Sequence, residues 1–142
     1  MSENFVGFAS SPKQPAGSAL LQEQLALSSE LDPAKIFQLF TTEAGLGSWL
    51  GQIEKYDLRQ GGRIKFIASD RLLGASFTSI SIPRQIVLVC ENLGELDFQF
   101  KVSKSSTEVL LRVSRSALPD DRESWKLELT ATWDRFAAAS NV

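Results

Sequence analysis

Histidine is absent from this 142-residue chain, and cysteine occurs once, at Cys90. Histidine is the usual general base near neutral pH and the commonest metal ligand. Without it, and with one thiol, the familiar catalytic triads and transition-metal sites have no raw material. Carboxylate, tyrosine, lysine and arginine chemistry remains. Tyr56, the only tyrosine, could donate its hydroxyl, but it stands beside Asp57 in a polar stretch that favours a surface ring. Arg112 and Arg115 carry the guanidinium fork that suits a carboxylate or phosphate; Arg112 alternates with Leu111 and Val113, which turns it to solvent. Cys90 follows Val87-Leu88-Val89, the setting of an inert buried thiol. Asp120, Asp121 and Glu123 precede a long helical pattern, where acids are favoured by the helix dipole and serve as caps rather than cation ligands. Gly61-Gly62 is a turn, since no Lys-Thr pair or helix follows to make a phosphate loop. The residues specify no catalytic group, no metal site and no cofactor, and an enzyme is the weaker expectation.

The elements that would position these residues are legible from period. Leu21, Leu25 and Leu27 share one parity, which predicts a half-buried strand over about Leu20 to Ser29. Asp32-Pro33 then starts a short helix, the carboxylate capping free N–H groups and the proline taking a position whose N–H has no partner. Ile36, Phe37, Leu39 and Phe40 form its buried side. Thr41 or Thr42 caps a second short helix through Leu46 to Trp49, with Gly45 and Gly47 inside it. A hairpin follows, from Ile53–Leu58 through Gly61-Gly62 to Ile64, Phe66 and Ala68. From Leu72 to Ile82 the apolar parity switches between Phe77 and Ile80, which predicts a bulge, and Pro83 ends the strand. Ile86–Cys90, the alternating Leu96, Phe98, Phe100 and Val102, and Val109, Leu111 and Val113 give three more strands. Last comes a long helix, about Asp121 to Ala139, with Trp125, Leu129, Thr132, Trp133 and Phe136 on one narrow arc.

The length fits one domain and a 43% apolar composition can fill its core. Residues 1–18, rich in Ser, Pro, Gly and Ala, read as a flexible N-terminal tail, in which Phe5, Val6 and Phe8 could dock on the body or a neighbour. Residues 19–142 form the domain. Lys and Arg number 15 and Asp and Glu 17, a formal charge of −2 with no basic cluster, which argues against nucleic acid. No apolar run reaches the ~20 residues needed to span a bilayer. With no basic-then-apolar leader and no cysteine pair, the expected location is cytoplasmic.

One strand, two short helices, about six antiparallel strands and a long helix make an α+β order. Within it, Asp32-Pro33-Ala34-Lys35-Ile36-Phe37, Trp49-Leu50, Gly61-Gly62, Gly74 with Ile82-Pro83-Arg84-Gln85-Ile86-Val87, and Ser124-Trp125 resemble the activator of heat-shock protein 90 ATPase homologues. That family lies in the START-like superfamily of polyketide cyclases, dehydrases and lipid-transport proteins (SRPBCC), and the resemblance runs from about Leu20 to Ala139. It implies a helix-grip fold, a curved antiparallel sheet of six to seven strands wrapped around the C-terminal helix, with a hydrophobic cavity between. Its implied lining is Trp49, Phe66, Phe77, Phe98, Phe100, Trp125, Leu129 and Trp133, side chains that would otherwise simply fill the core. The expected function is binding of a small hydrophobic or amphipathic ligand there. The alternatives are a cyclase- or hydrolase-type enzyme using the same cavity, or a cochaperone-like module that contacts a chaperone or forms a homodimer.

Overall fold

A computed structural model describes residues 19–104, 106–117 and 121–141 of the chain. The expected tail, 1–18, lies outside them, as does Asp120. Seven strands and three helices follow in the order β1 (Ala19–Ser29), α1 (Pro33–Thr41), α2 (Glu43–Trp49), β2 (Gln52–Tyr56), β3 (Arg63–Ala68), β4 (Arg71–Ser81), β5 (Gln85–Cys90), β6 (Gly94–Val102), β7 (Thr107–Ala117) and α3 (Arg122–Ala139). The strands form one open antiparallel sheet, β1-β7-β6-β5-β4-β3-β2, so the first strand closes against the last. This is the expected helix-grip architecture.

Local chemistry accounts for each boundary. Asp32 caps α1 by accepting from the Ala34 N–H at 3.2 Å, with Pro33 at the first helical position. Thr42, not Thr41, caps α2, its Oγ1 accepting from the Gly45 N–H at 2.9 Å. At Gly45 a Cβ would lie 1.8 Å from the Gln38 carbonyl oxygen, so only glycine lets α2 fold back on α1. Ser69 and Asp70 both adopt φ near +60° (53° and 61°), the two-residue turn that joins β3 to β4 without splaying them. The pairing of β4 with β5 slips between Phe77 and Ser79, where the parity of the sequence predicts the bulge.

The arc of α3 faces the sheet, with Trp125, Leu129, Thr132 and Phe136 buried and Trp133 partly so. Beneath it lie Ile64, Phe66, Leu73, Ala75, Phe77, Ile86, Leu88, Leu96, Phe98, Leu111 and Val113, inward positions of the five strands β3 to β7. The end of α3 is tied to the end of β1, where the buried Ser29 hydroxyl donates to the Ser140 carbonyl. Two expectations need correction. Tyr56 is not a surface ring but half-buried against the core, because β2 is the edge strand and its inward positions still face the helices. Asp121 does not cap α3 through its side chain; it has helical φ and ψ itself and makes no cap hydrogen bond, so acid at this end acts through charge, with Glu123 in the first turn.

Candidate ligand site at the mouth of the grip

The eight side chains expected to line a cavity all lie on the concave side of the sheet or on the helices that cover it. They fall into two groups. Phe98 is the hub of the first, with ring centroids 4.8 Å from Phe40, 5.6 Å from Trp49 and 5.2 Å from Phe136. Phe100 packs edge-on to Phe37 at 5.1 Å, and Trp133 stacks on Phe136 at 5.5 Å. The Trp49 indole N–H is satisfied inside, donating to the Leu39 carbonyl at 2.7 Å. Phe66, Phe77, Trp125 and Leu129 make up the second group, each at most 2% exposed. Trp125 donates its indole N–H to the Leu93 carbonyl at 2.9 Å, pinning α3 to the turn between β5 and β6.

A concavity of about 320 Å³ opens beside α3. Its walls are Ala68 and Ser69 at the β3–β4 turn, Asn92 at the β5–β6 turn, and the α3 residues Ser124, Leu127, Glu128, Ala131, Thr132 and Arg135. None of the eight lines this space directly. Its polar groups are linked. The Glu128 carboxylate oxygen Oε2 accepts from Arg71 Nη2 and from Asn92 Nδ2, both at 2.7 Å. Thr132 Oγ1 donates to the Glu128 carbonyl at 3.0 Å and accepts from Arg135 Nη2 at 3.3 Å, while Arg135 Nε donates to the Trp49 carbonyl at 3.1 Å. Asn92 is 7% exposed, and its Oδ1 has no hydrogen-bond partner among the described residues. A buried acceptor left unpaired costs about 1–3 kcal/mol, and because this oxygen has no exposed surface of its own a donor reaches it only if the side chain turns.

Arg71 reaches Glu128 across the mouth because the tight Ser69–Asp70 turn sends β4 back beside α3. The pair is half in solvent, 52% and 26% exposed, and such a pair contributes about 0–1 kcal/mol, so it opens at little cost. Arg115 takes no ligand-facing position. Its Nη1 donates to the Asn92 carbonyl at 3.0 Å and so holds the β5–β6 turn, while Arg112 is exposed as expected. Cys90 is fully buried, and burial pushes its thiol from 9.0 up to about 12, which leaves it unreactive at neutral pH.

The outer face of the sheet is also dented, by about 570 Å³ across Ala26, Ser28, Lys101 and Glu108 and by about 530 Å³ across Gln24, Asp97 and Arg112. The polar residues there are all half-buried or exposed, so water satisfies them already and a ligand gains little by replacing it. The mouth differs in having buried polar groups, Asn92 and Thr132. Sequence reasoning placed Thr132 on the inward arc but missed Asn92, Glu128, Arg71 and Arg135. At 100° per residue, Glu128 falls on the flank of that arc, one turn before Thr132, and a polar flank beside an apolar stripe is the signal that could have found it. No group of three or more potential metal ligands occurs among the described residues, and none of their helices is long and apolar enough to cross a membrane.

An open antiparallel sheet gripping a long C-terminal helix, with a small polar-rimmed mouth beside that helix, defines a protein of the helix-grip class. The chain belongs to the Activator of Hsp90 ATPase homolog 1-like protein family, whose model matches residues 30–140. No curated protein matches it in sequence. Among solved structures it is similar to a protein from Colwellia psychrerythraea described as an Aha1 dimer, with a TM-score of 0.64 and 17% identity over 84% of this chain and 96% of that one. A protein of unknown function from Staphylococcus aureus superposes with a TM-score of 0.71 at 9% identity, covering 88% and 96%. A protein from Rhizobium loti gives 0.65 at 15% identity, covering 86% and 98%. At such identities these likenesses concern the fold.

Proposed function

We propose that this chain binds a small amphipathic molecule in the grip between the sheet and α3, with the polar end at the mouth and the apolar end directed toward Trp125, Leu129 and Trp133. The observation that carries this reading is the convergence of Asn92, Glu128, Thr132 and Arg135 on a concavity of about 320 Å³ above an otherwise apolar core. A few placed polar groups over an apolar lining is the usual composition of a small-molecule site. The rim offers donors at Arg71, Arg135 and Asn92 Nδ2 and an acceptor at Glu128, and a turn of the Asn92 side chain would add its buried, unpaired Oδ1. A ligand carrying a carboxylate and a hydroxyl answers both, the carboxylate competing with Glu128 for Arg71 and the hydroxyl donating to Asn92.

The test is thermal unfolding with decanoate, a hydroxydecanoate, decanol and a panel of aromatic carboxylates, on the native chain and on Ala131→Trp. Ala131 is exposed and lines the concavity, so the indole fills the site without disturbing the core. A ligand at ~100 times its dissociation constant stabilises by about 2.7 kcal/mol, and the acids should raise the melting temperature of the native chain but not of Ala131→Trp. Absence of stabilisation by every probe, or equal stabilisation of both proteins, contradicts the reading.

A further inference from the structure

The two edges of the sheet are built differently. At one end β2 spans 5 residues, carries Glu54 and Lys55, and slips in register against β3 between Ile53 and Lys55. Shortness, charge and irregular pairing are the devices that stop an edge from accepting another strand. At the other end β1 shares only one of them, a single inward-pointing charge. It runs for 11 residues, pairs with β7 without a slip from Ala19 to Ser29, and contains no proline, glycine or lysine. Its only charge is Glu23, which lies 3.6 Å from Lys126 of α3.

An antiparallel strand turns alternate backbone groups to its two sides, so β7 uses only half of those on β1. No backbone hydrogen bond outside the β1–β7 ladder involves β1 among the described residues. Leu25 and Leu27 point inward but stay half-buried, the condition of residues whose next strand is missing. The outward positions Gln22, Gln24, Ala26 and Ser28 are exposed and uncharged.

We propose that β1 pairs antiparallel with β1 of a second copy of this chain, joining two sheets across a two-fold axis. The occupant this edge needs is a long strand with apolar residues at most of the concave-side positions and no carboxylate opposite Glu23. β1 itself is such a strand, and a two-fold interface requires only one surface. In pairings centred on Leu25 or Ala26, Glu23 of one copy faces Leu27 or Ser29 of the other, never a second carboxylate. Leu25 of one copy then meets Leu25 or Leu27 of its partner, which covers the side chains the monomer leaves half open. This inference is independent of the ligand reading, since the mouth is formed by β3, the β3–β4 and β5–β6 turns and α3.

The test uses the full chain and two double variants, Gln24→Lys with Ala26→Lys and Gln24→Glu with Ala26→Glu. All four changes fall at exposed positions, so circular dichroism and melting temperature serve as folding controls. Sedimentation velocity should give the native chain a mass twice 15.6 kDa at micromolar concentration. Each variant alone places like charges opposite each other across the axis and should weaken dimerisation at least about tenfold, and an equimolar mixture of the two should restore it. A native chain that stays monomeric to ~1 mM, near the limit of weak specific association, overturns the proposal. So does a dimer indifferent to both variants, or a mixture that stays monomeric. Protection of the β1 amides from hydrogen exchange in a monomer would assign the edge to residues 1–18 instead, and protection gained only with another protein would assign it to a foreign strand; both overturn the proposal.

Discussion

Replacing Trp125 by alanine tests how firmly α3 is held. The indole is 1% exposed and belongs to the first turn of the helix, against the β5–β6 turn. Burying a tryptophan removes roughly 150–250 Å² from water, worth about 4–6 kcal/mol at ~25 cal/mol per Å². Large-to-small changes of this kind cost about 3–5 kcal/mol once the site relaxes. The Nε1 donor to the Leu93 carbonyl is lost as well, and an orphaned buried acceptor adds about 1 kcal/mol or more. We therefore expect a loss of about 4–5 kcal/mol, a large fraction of the 5–15 kcal/mol typical of a domain. Trp125→Phe separates the two contributions, since it keeps most of the packing and loses only the donor, at about 1–2 kcal/mol. Equilibrium urea unfolding reads both, the alanine variant shifting the midpoint by about 2 M for a slope near 2 kcal/mol per M. A cost below about 1.5 kcal/mol for Trp125→Ala at unchanged slope would refute the reasoning, because it would mean that the grip does not depend on this contact.

Two further outcomes follow from particular residues. The Cys90 thiol stays protonated in the folded chain up to about pH 12 but ionises near 9.0 when unfolded. Its contribution to stability is therefore complete below pH 9 and is lost as pH rises toward 12, at about 1.4 kcal/mol per pH unit. Between pH 9 and 10.5 the native chain should lose about 2 kcal/mol more than Cys90→Val, measured by urea unfolding across that range; parallel pH profiles would contradict the burial. Gly94 has φ +98°, and a Cβ there would lie 2.3 Å from the Ser114 carbonyl oxygen. Gly94→Ala should cost at least about 2 kcal/mol, from strain and displacement of β6 from β7, and a melting temperature within a degree of the native value would sink that account.

The fold was legible wherever a single element states its own requirements. Asp32-Pro33 marks a helix start by capping chemistry alone, the slip from Phe77 to Ile80 marks the bulge by parity, and the arc from Trp125 to Phe136 states which face of α3 is buried. The mouth was not legible, for a physical reason. Glu128, Arg71 and Asn92 come from a helix, a strand and a turn, and they meet only because the Ser69–Asp70 turn and the Trp125–Leu93 hydrogen bond set those elements side by side. No local pattern encodes that meeting. Tyr56 and Asp121 were misread from the opposite cause, since their neighbours in sequence are polar or acidic while their surroundings in space are set by packing.

The central claim is that a ligand enters beside α3, and the side-chain N–H groups around the mouth report on it directly. In a ¹H–¹⁵N spectrum titrated with a hydroxydecanoate, the account predicts saturable shifts at the Asn92 side-chain amide, the Arg135 Nε–H, the backbone of Glu128 to Thr132, and the indoles of Trp125 and Trp133. The sheet positions Gln24, Lys101 and Arg112 should not move. Shifts confined to those outer-face residues, or no saturable shift at the mouth, would contradict it.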